Sequence, residues 1–239
     1  MILVPGKNIY REFQEGAYYH IYNRGVDKRI IFLDEQDYKV FLNNLKIYLI
    51  NKEDKPINKI PFTLKGTTFQ GVPHQLKDYH NKIELICYCL MPNHFHLLIK
   101  QSEQTVISEF MKSLTVKYSM YFNNKYKRSG QLFQSRYKAI RIGDEGYLLH
   151  LSRYIHLNPI AYTNNLIDTY SSYGEYLGLK KTKWINSEII LEYFKQSLNE
   201  DLGIPKAIKY DTYKDFVEGK STQHFYDLTT YILEDSAEH

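Results

Sequence analysis

Two histidines flank one phenylalanine in CLMPNHFHLLIK, residues 89–100, inside a run that is otherwise apolar. Side chains two apart on a strand share a face, and at a rise of roughly 3.3 Å per residue their Cα atoms lie about 6.6 Å apart, so both rings can reach one ion. His94 and His96 so placed make a two-ligand metal platform. Neutral imidazole suits Mn, Zn and related ions, and the pair leaves positions open for water or a phosphate oxygen. A metal also needs a third ligand and a task. The candidate lies in LSRYIHLNPI, residues 151–160, where Tyr154 and Asn158 are i and i+4 on one helical face, with His150 a turn earlier on the same stripe. That face offers a phenol, an amide oxygen and an imidazole together. A phenol with a pKa near 10 is a poor nucleophile, but a divalent cation that polarises a phosphodiester oxygen lowers the barrier to its attack. The competing explanation is packing: in a chain with 23 tyrosines, a helical tyrosine belongs to the core by default.

Positioning these groups falls to a run of short elements. Residues 17–25, AYYHIYNRG, alternate and end at Gly25, as a first strand does. Asp34 offers an N-cap for a helix over 35–50, with Tyr38, Phe41, Leu42, Leu45 and Leu49 at helical spacing. Residues 51–80 carry Pro56, Pro61, Gly66, Gly71 and Pro73, and read as an insertion or long loop with at most a short extended piece. KIELICYCLM and HFHLLIKQ are two strands joined at Pro92-Asn93, an antiparallel pair around a tight turn. A helix follows over about 104–124, then a strand in SRYKAIRI and a helix in DEGYLLHLSRYIHLN that Pro159 closes. The order β-α-β-β-α-β-α implies an α+β fold, an antiparallel β-sheet with helices packed on it. Beyond residue 178 a helix is expected over 186–198 and another apolar-periodic piece near YKDFVEG, before an acidic end that frays. This divides the chain into a main domain over 1–178, with its insertion at 51–80, and a helical C-terminal extension over 179–239.

Composition excludes more than it asserts. At 239 residues with 43% hydrophobic content the chain can bury a sizeable core, and no run approaches the roughly 18 apolar residues of a membrane span. Pro5, Gly6 and Lys7 interrupt any signal-peptide core, so a cytoplasmic protein is expected. Cys87 and Cys89 read as buried thiols pointing to opposite faces of a strand, with neither a disulfide nor a shared metal. A formal charge of +4 is too mild to identify a partner. Its distribution is more informative: residues 125–143 hold Lys125, Lys127, Arg128, Arg136, Lys138 and Arg141 without an acid, interleaved with Tyr126, Phe133 and Tyr137. That pattern suits a phosphate backbone with bases stacked on rings, although Phe133 is better read as core. The phosphate-contact candidates are Arg24, Lys28 and Arg29 in NRGVDKR, with Arg128, Arg136 and Lys138; anchoring of loops is the alternative role for these arginines.

CYCLMPNHFHLLI, RSGQLFQSRYKAI and LSRYIHLNPIAY, in that order and at these separations, resemble the transposase domain of the HUH single-tyrosine family, the insertion-sequence transposases and especially their REP-associated relatives. HIYNRGVDKRIIF is similar to that family's N-terminal motif, and the likeness spans most of residues 15–178. The resemblance implies a ferredoxin-like antiparallel sheet with the histidines on a central strand and the tyrosine on a nearby helix. It implies that His94 and His96 bind Mg²⁺ or Mn²⁺, that Tyr154 is the nucleophile, and that Asn158 is the third ligand, although an amide is a weaker ligand than a carboxylate. The implied reaction is transesterification on single-stranded or hairpin DNA, leaving Tyr154 joined to a 5′ phosphate and freeing a 3′ hydroxyl. Dimers are usual among the insertion-sequence members, whereas the REP-associated relatives allow monomers, so both states stay open.

Three rivals remain: a nuclease on the same scaffold without durable joining, a domesticated or inactive nucleic-acid-binding protein, and a hydrolase with a His-based metal site. His94, His96 and Tyr154 are all present, which counts against a retired binder. No HExxH motif and no acidic cluster near the histidines support the hydrolase.

Overall fold

The computed structural model describes residues 13–51, 53, 60–64, 67–71, 77–195 and 210–219. The first strand, β1 (Tyr18–Arg24), leads through a short turn to α1 (Glu35–Leu49). α1 starts where the sequence signals it: Asp34 caps the Asp37 N–H, and the Asp37 carboxylate reaches back to the Asp34 N–H, a reciprocal box that satisfies donors left open by a helix start. In the region read as a loop lies a two-stranded hairpin, β2 (Ile60–Leu64) and β3 (Thr67–Gly71), more regular than the turn-rich composition suggested. Then come β4 (Ile83–Met91), β5 (His94–Gln101), α2 (Val106–Lys125), β6 (Lys138–Ile142) and α3 (Glu145–Leu157). Short helices α4 (Tyr173–Tyr176), α5 (Glu188–Lys195) and α6 (Tyr213–Glu218) complete the described chain. The end of the helix expected over 186–198 and the acidic terminus lie outside the described residues.

The main sheet runs β4-β5-β1-β6, with each neighbouring pair antiparallel. This is the ferredoxin-like arrangement: β4 and β5 form a hairpin, while α1 and α2 carry the chain over to the next strand on one face. Alternation along the strands then divides the core. Tyr19, Ile21, Phe95, Leu97 and Ile99 pack with Phe41, Leu45, Phe110, Leu114 and Tyr118 of α1 and α2. Leu98, Ile142 and the β4 residues Ile86, Cys87 and Cys89 pack with Leu151, Ile155 and Leu157 of α3 on the other face. The two thiols are free and buried as expected, but residues two apart on a strand share a face, and both lie in the α3 core; the opposite-face reading is corrected.

The far end of the first layer is tied by charge. Lys125, at the end of α2, bonds Asp34 at 2.7 Å and the buried Asp37 at 2.8 Å, and Tyr121 and Tyr126 donate to Asp37 as well. Burial alone would raise the Asp37 carboxyl, but these bonds and the Leu33 N–H outweigh it and hold it below the ordinary range. Lys125 is thus a strut between helices, although it opens the acid-free basic stretch.

Phe95, between the two histidines, is fully buried and meets Phe41 at 5.1 Å and Phe133 at 5.8 Å between ring centroids. Phe95→Ala is expected to lower stability by about 3–5 kcal/mol. Urea unfolding measures this, and a loss under about 1 kcal/mol would contradict the assigned core.

Candidate active site

Strand register, more than sequence proximity, assembles the site. β1 pairs with β5 so that Tyr22 lies opposite His96 and Arg24 opposite His94, with His20 opposite Leu98. On the outer sides, Met91 pairs with His94, Cys89 with His96, and Lys138 with Tyr22. Since alternate residues share a face, His20, Tyr22, Arg24, His94, His96 and Lys138 all project toward α3. From that helix Tyr154 sets its ring 5.6 Å from His96 and 6.4 Å from His20, edge to face in both cases. Asn158, one turn on, donates from Nδ2 to the Tyr154 carbonyl at 3.0 Å, and its side chain pushes the His94 pKa up and the Tyr154 pKa down.

Each metal-ligand candidate has one ring nitrogen engaged. His94 Nδ1 meets Asn93 Oδ1 at 2.6 Å, and His96 Nδ1 meets His20 Nε2 at 2.8 Å. The two rings stand 5.0 Å apart at 90°. Burial keeps both neutral: the His94 pKa is pulled down to about 4, with the nearby Arg24 charge adding to burial and Asn158 opposing it. His96 is lowered further by burial, His94, His20 and Arg24. Neutral imidazoles, each with Nδ1 engaged, and the Asn158 amide oxygen are donors of the kind a bound divalent cation takes. Among the described residues no three His, Cys, Asp or Glu side chains are grouped to hold a metal. The donors His94, His96 and Asn158 carry no negative charge, and water or other oxygen ligands would complete the shell of an ion here.

Tyr154 is only 7% exposed, and burial raises its pKa, while the Asn158 bond and the Arg24 charge act in the opposite direction. Arg24 thus exerts its field on both histidines and on the phenol. Lys138 sits 5.7 Å above the Tyr22 ring at the edge of the same face. Lys28 and Arg29 lie on the turn beside it, where Asn93 Nδ2 donates to the Lys28 carbonyl and Gly25 N–H donates to the Asn93 carbonyl. A Cβ at Gly25 would collide with the Arg29 carbonyl oxygen, so this close approach requires glycine. The Asn23 amide donates to the carbonyls of Ser135 and Arg136, pinning the basic loop to β1.

Not every expected residue comes to the site. Arg128 donates to Asn123 and lies over Phe122 at 5.8 Å, an anchoring role, whereas Arg136 is exposed on the loop. Phe133 is core. The His150 ring packs against Phe216 of α6, 5.5 Å away, so the expected imidazole of the helical stripe is engaged with the C-terminal segment. His20 and Asn93 were missed as contributors; the alternation in YHIYNR held the signal for His20, but only the β1-β5 pairing shows which ring it meets.

The helix bearing Tyr154 is held by a buried polar chain. His156 bonds Tyr213 Oη through Nδ1 at 2.7 Å and Ser172 Oγ through Nε2 at 2.8 Å. Tyr213 donates to Ser152, and Ser172 accepts from the Tyr88 N–H of β4. Arg153 donates to the carbonyls of Val217 and Gly219. The α6 segment, from the extension, thus grips the residues on either side of Tyr154.

Residues 67–158 match the family model described as "Transposase IS200 like". The matched stretch contains His94, His96, Tyr154 and Asn158 and is similar to that family, the one that the motifs resemble. A solved structure described as a REP-associated tyrosine transposase bound to a REP hairpin aligns over 73% of this chain and 93% of that one, with a TM-score of 0.47 and 13% identity. No curated protein matches the chain. Among the described residues no helix is long and apolar enough to cross a membrane.

Burial sets a pH dependence. It depresses His20 and His156 to about 3, and His94 to about 4. In the unfolded chain such rings take up a proton near pH 6.5, so their contribution to stability is whole above that value and is lost as pH falls toward the folded values. Each ring removes about 1.4 kcal/mol per pH unit within that window. The urea midpoint is expected to fall between pH 7 and pH 5; an unchanged or rising midpoint would contradict neutral burial of these histidines.

Proposed function

We propose that the protein cleaves and rejoins single-stranded or hairpin DNA through a 5′-phosphotyrosine intermediate, with Tyr154 as nucleophile. The observation that carries this reading is the convergence of His94 and His96 from β5 with Tyr154 and Asn158 from α3, under the field of Arg24. Mg²⁺ or Mn²⁺, held by His94, His96 and the Asn158 amide oxygen, would polarise the scissile phosphate and offset its charge. Tyr154 Oη attacks phosphorus and loses its proton as the new O–P bond forms. The bond from phosphorus to the 3′ oxygen breaks, and that oxygen takes up a proton to leave as a 3′ hydroxyl. Reversal by another 3′ hydroxyl rejoins DNA without an external energy source, because the phosphodiester energy is kept in the tyrosyl ester. Arg24 and Lys138 contact phosphates nearest the histidines, and Lys28, Arg29 and Arg136 extend the basic surface along the adjoining turn and loop. Arg128 serves that surface indirectly, by holding the end of α2. In this reading the protein is cytoplasmic and acts as a monomer or as a homodimer.

Incubation with labelled single-stranded hairpin DNA and Mn²⁺ is expected to give a nuclease-sensitive covalent band on a denaturing protein gel. Tyr154→Phe and chelation with EDTA are each expected to abolish it. Cleavage that persists in Tyr154→Phe would make water the nucleophile and overturn the strand-transfer reading.

The phosphate contacts have their own signature. Arg24→Ala and Lys138→Ala are each expected to weaken single-strand binding across all sequences and to reduce the slope of log affinity against log salt by about 0.7. A slope unchanged in both variants, measured by fluorescence anisotropy from low to moderate salt, would remove them from the interface.

A further inference from the structure

The ring that meets His96 is itself an imidazole, and this constrains where protons sit. His20 is fully buried, and its Nε2 lies 2.8 Å from His96 Nδ1, the two rings nearly parallel at 17°. Its other nitrogen, Nδ1, is buried without a hydrogen-bond partner. A buried polar atom left unsatisfied is costly, so its retention needs a reason. Two neutral imidazoles in this contact share one proton. If His20 Nε2 carries it, His96 must keep its own proton on Nε2, and that nitrogen has no lone pair for a metal. If His96 Nδ1 carries it, His96 Nε2 is free to ligate and the His20 proton sits on Nδ1, the orphaned atom.

We infer that His20 is a positioning residue for metal binding, accepting the His96 Nδ1–H through Nε2 and thereby fixing the tautomer and ring angle that leave His96 Nε2 open to a divalent cation. This rests on the reading of His94 and His96 as metal ligands. Such outer partners are ordinarily carboxylates or carbonyls; a neutral imidazole orients the ligand while adding no charge to a site already lacking acids. It also explains why β1 places a histidine, at the cost of an unsatisfied nitrogen, where Leu98 and Ile140 on either side call for an apolar residue. His94 is served differently, by the Asn93 amide oxygen on the neighbouring residue.

The test is Mn²⁺ titration of the DNA-free protein into the millimolar range, with free Mn²⁺ read by its electron paramagnetic resonance signal. Wild type is compared with His20→Leu, which removes the acceptor at similar volume, and His20→Gln, whose amide oxygen reaches about where Nε2 stood. His94→Ala tests the underlying site. Uptake by wild type, loss in His94→Ala, a 10- to 100-fold weakening in His20→Leu and recovery to within about threefold in His20→Gln are expected. If His94→Ala loses the ion while His20→Leu binds as wild type, His20 has no part in metal binding and the ligand reading survives. Equal behaviour of wild type and His94→Ala, including no uptake by either, overturns the ligand reading and this inference together. Should His20→Leu fail to give the near-ultraviolet circular dichroism of wild type, His20→Asn, whose amide is too short to reach His96, replaces it with the same expected weakening.

Discussion

The antiparallel pairing of β1 with β5 is the constraint on which the site depends. Its register decides which side chains stand beside the histidines, and because side chains alternate with a period of two, a slip of one residue would send His20, Tyr22 and Arg24 into the α1-α2 core and bring Tyr19, Ile21 and Asn23 to the site face. That register is fixed from both ends. At one end the Gly16 N–H donates to the Gln101 carbonyl and the Gln101 N–H to the Ala17 carbonyl; at the other, the Gly25 N–H donates to the Asn93 carbonyl, where there is no room for a side chain. Large apolar groups on the inner face, Tyr19, Ile21, Phe95 and Leu97 among them, resist any slip that would expose them. Packing energy on one face of the sheet thus fixes the chemistry on the other.

The second requirement is a helix that holds Tyr154 against that face. α3 is wedged between the sheet and the C-terminal segment, and His156 is the joint: one nitrogen bonds toward Ser172 and β4, the other toward Tyr213 of α6. Both bonds are buried, where a hydrogen-bonded network restricts geometry more than water-exposed contacts do. Phe216 and Val217 add apolar contact on the same side, and Arg153 secures the carbonyls that end α6. The extension, whose role composition left open, contributes directly to how the tyrosine is held.

Much of this was legible in the chain. The Asp34 cap, the turn at Pro92-Asn93 and the period-two and helical spacings gave the elements of the main sheet within a few residues, since each rests on local physics. The histidine pair was legible as spacing within one strand, whereas the role given to Tyr154 came from the family resemblance, because a helical tyrosine in this chain is core by default. What local pattern could not supply was pairing across elements. His20 stands 76 positions before His96, and its meeting depends on β1 lying beside β5 in one register. The same limit hid the tie between Tyr213 and His156, and it explains why Lys125 and Arg128, basic residues in an acid-free stretch, turned out to brace helix ends. Cys87 and Cys89 are a different case: the period-two rule itself puts them on one side, and only its misapplication separated them.

The central claim is that one tyrosine among 23 is chemically distinct because of where α3 sets it. Peptide mapping by mass spectrometry of a purified protein–DNA adduct tests this most directly. The account requires the nucleotide to be esterified to Tyr154 and to no other tyrosine. A nucleotide on Tyr22, Tyr162 or any other side chain would contradict it.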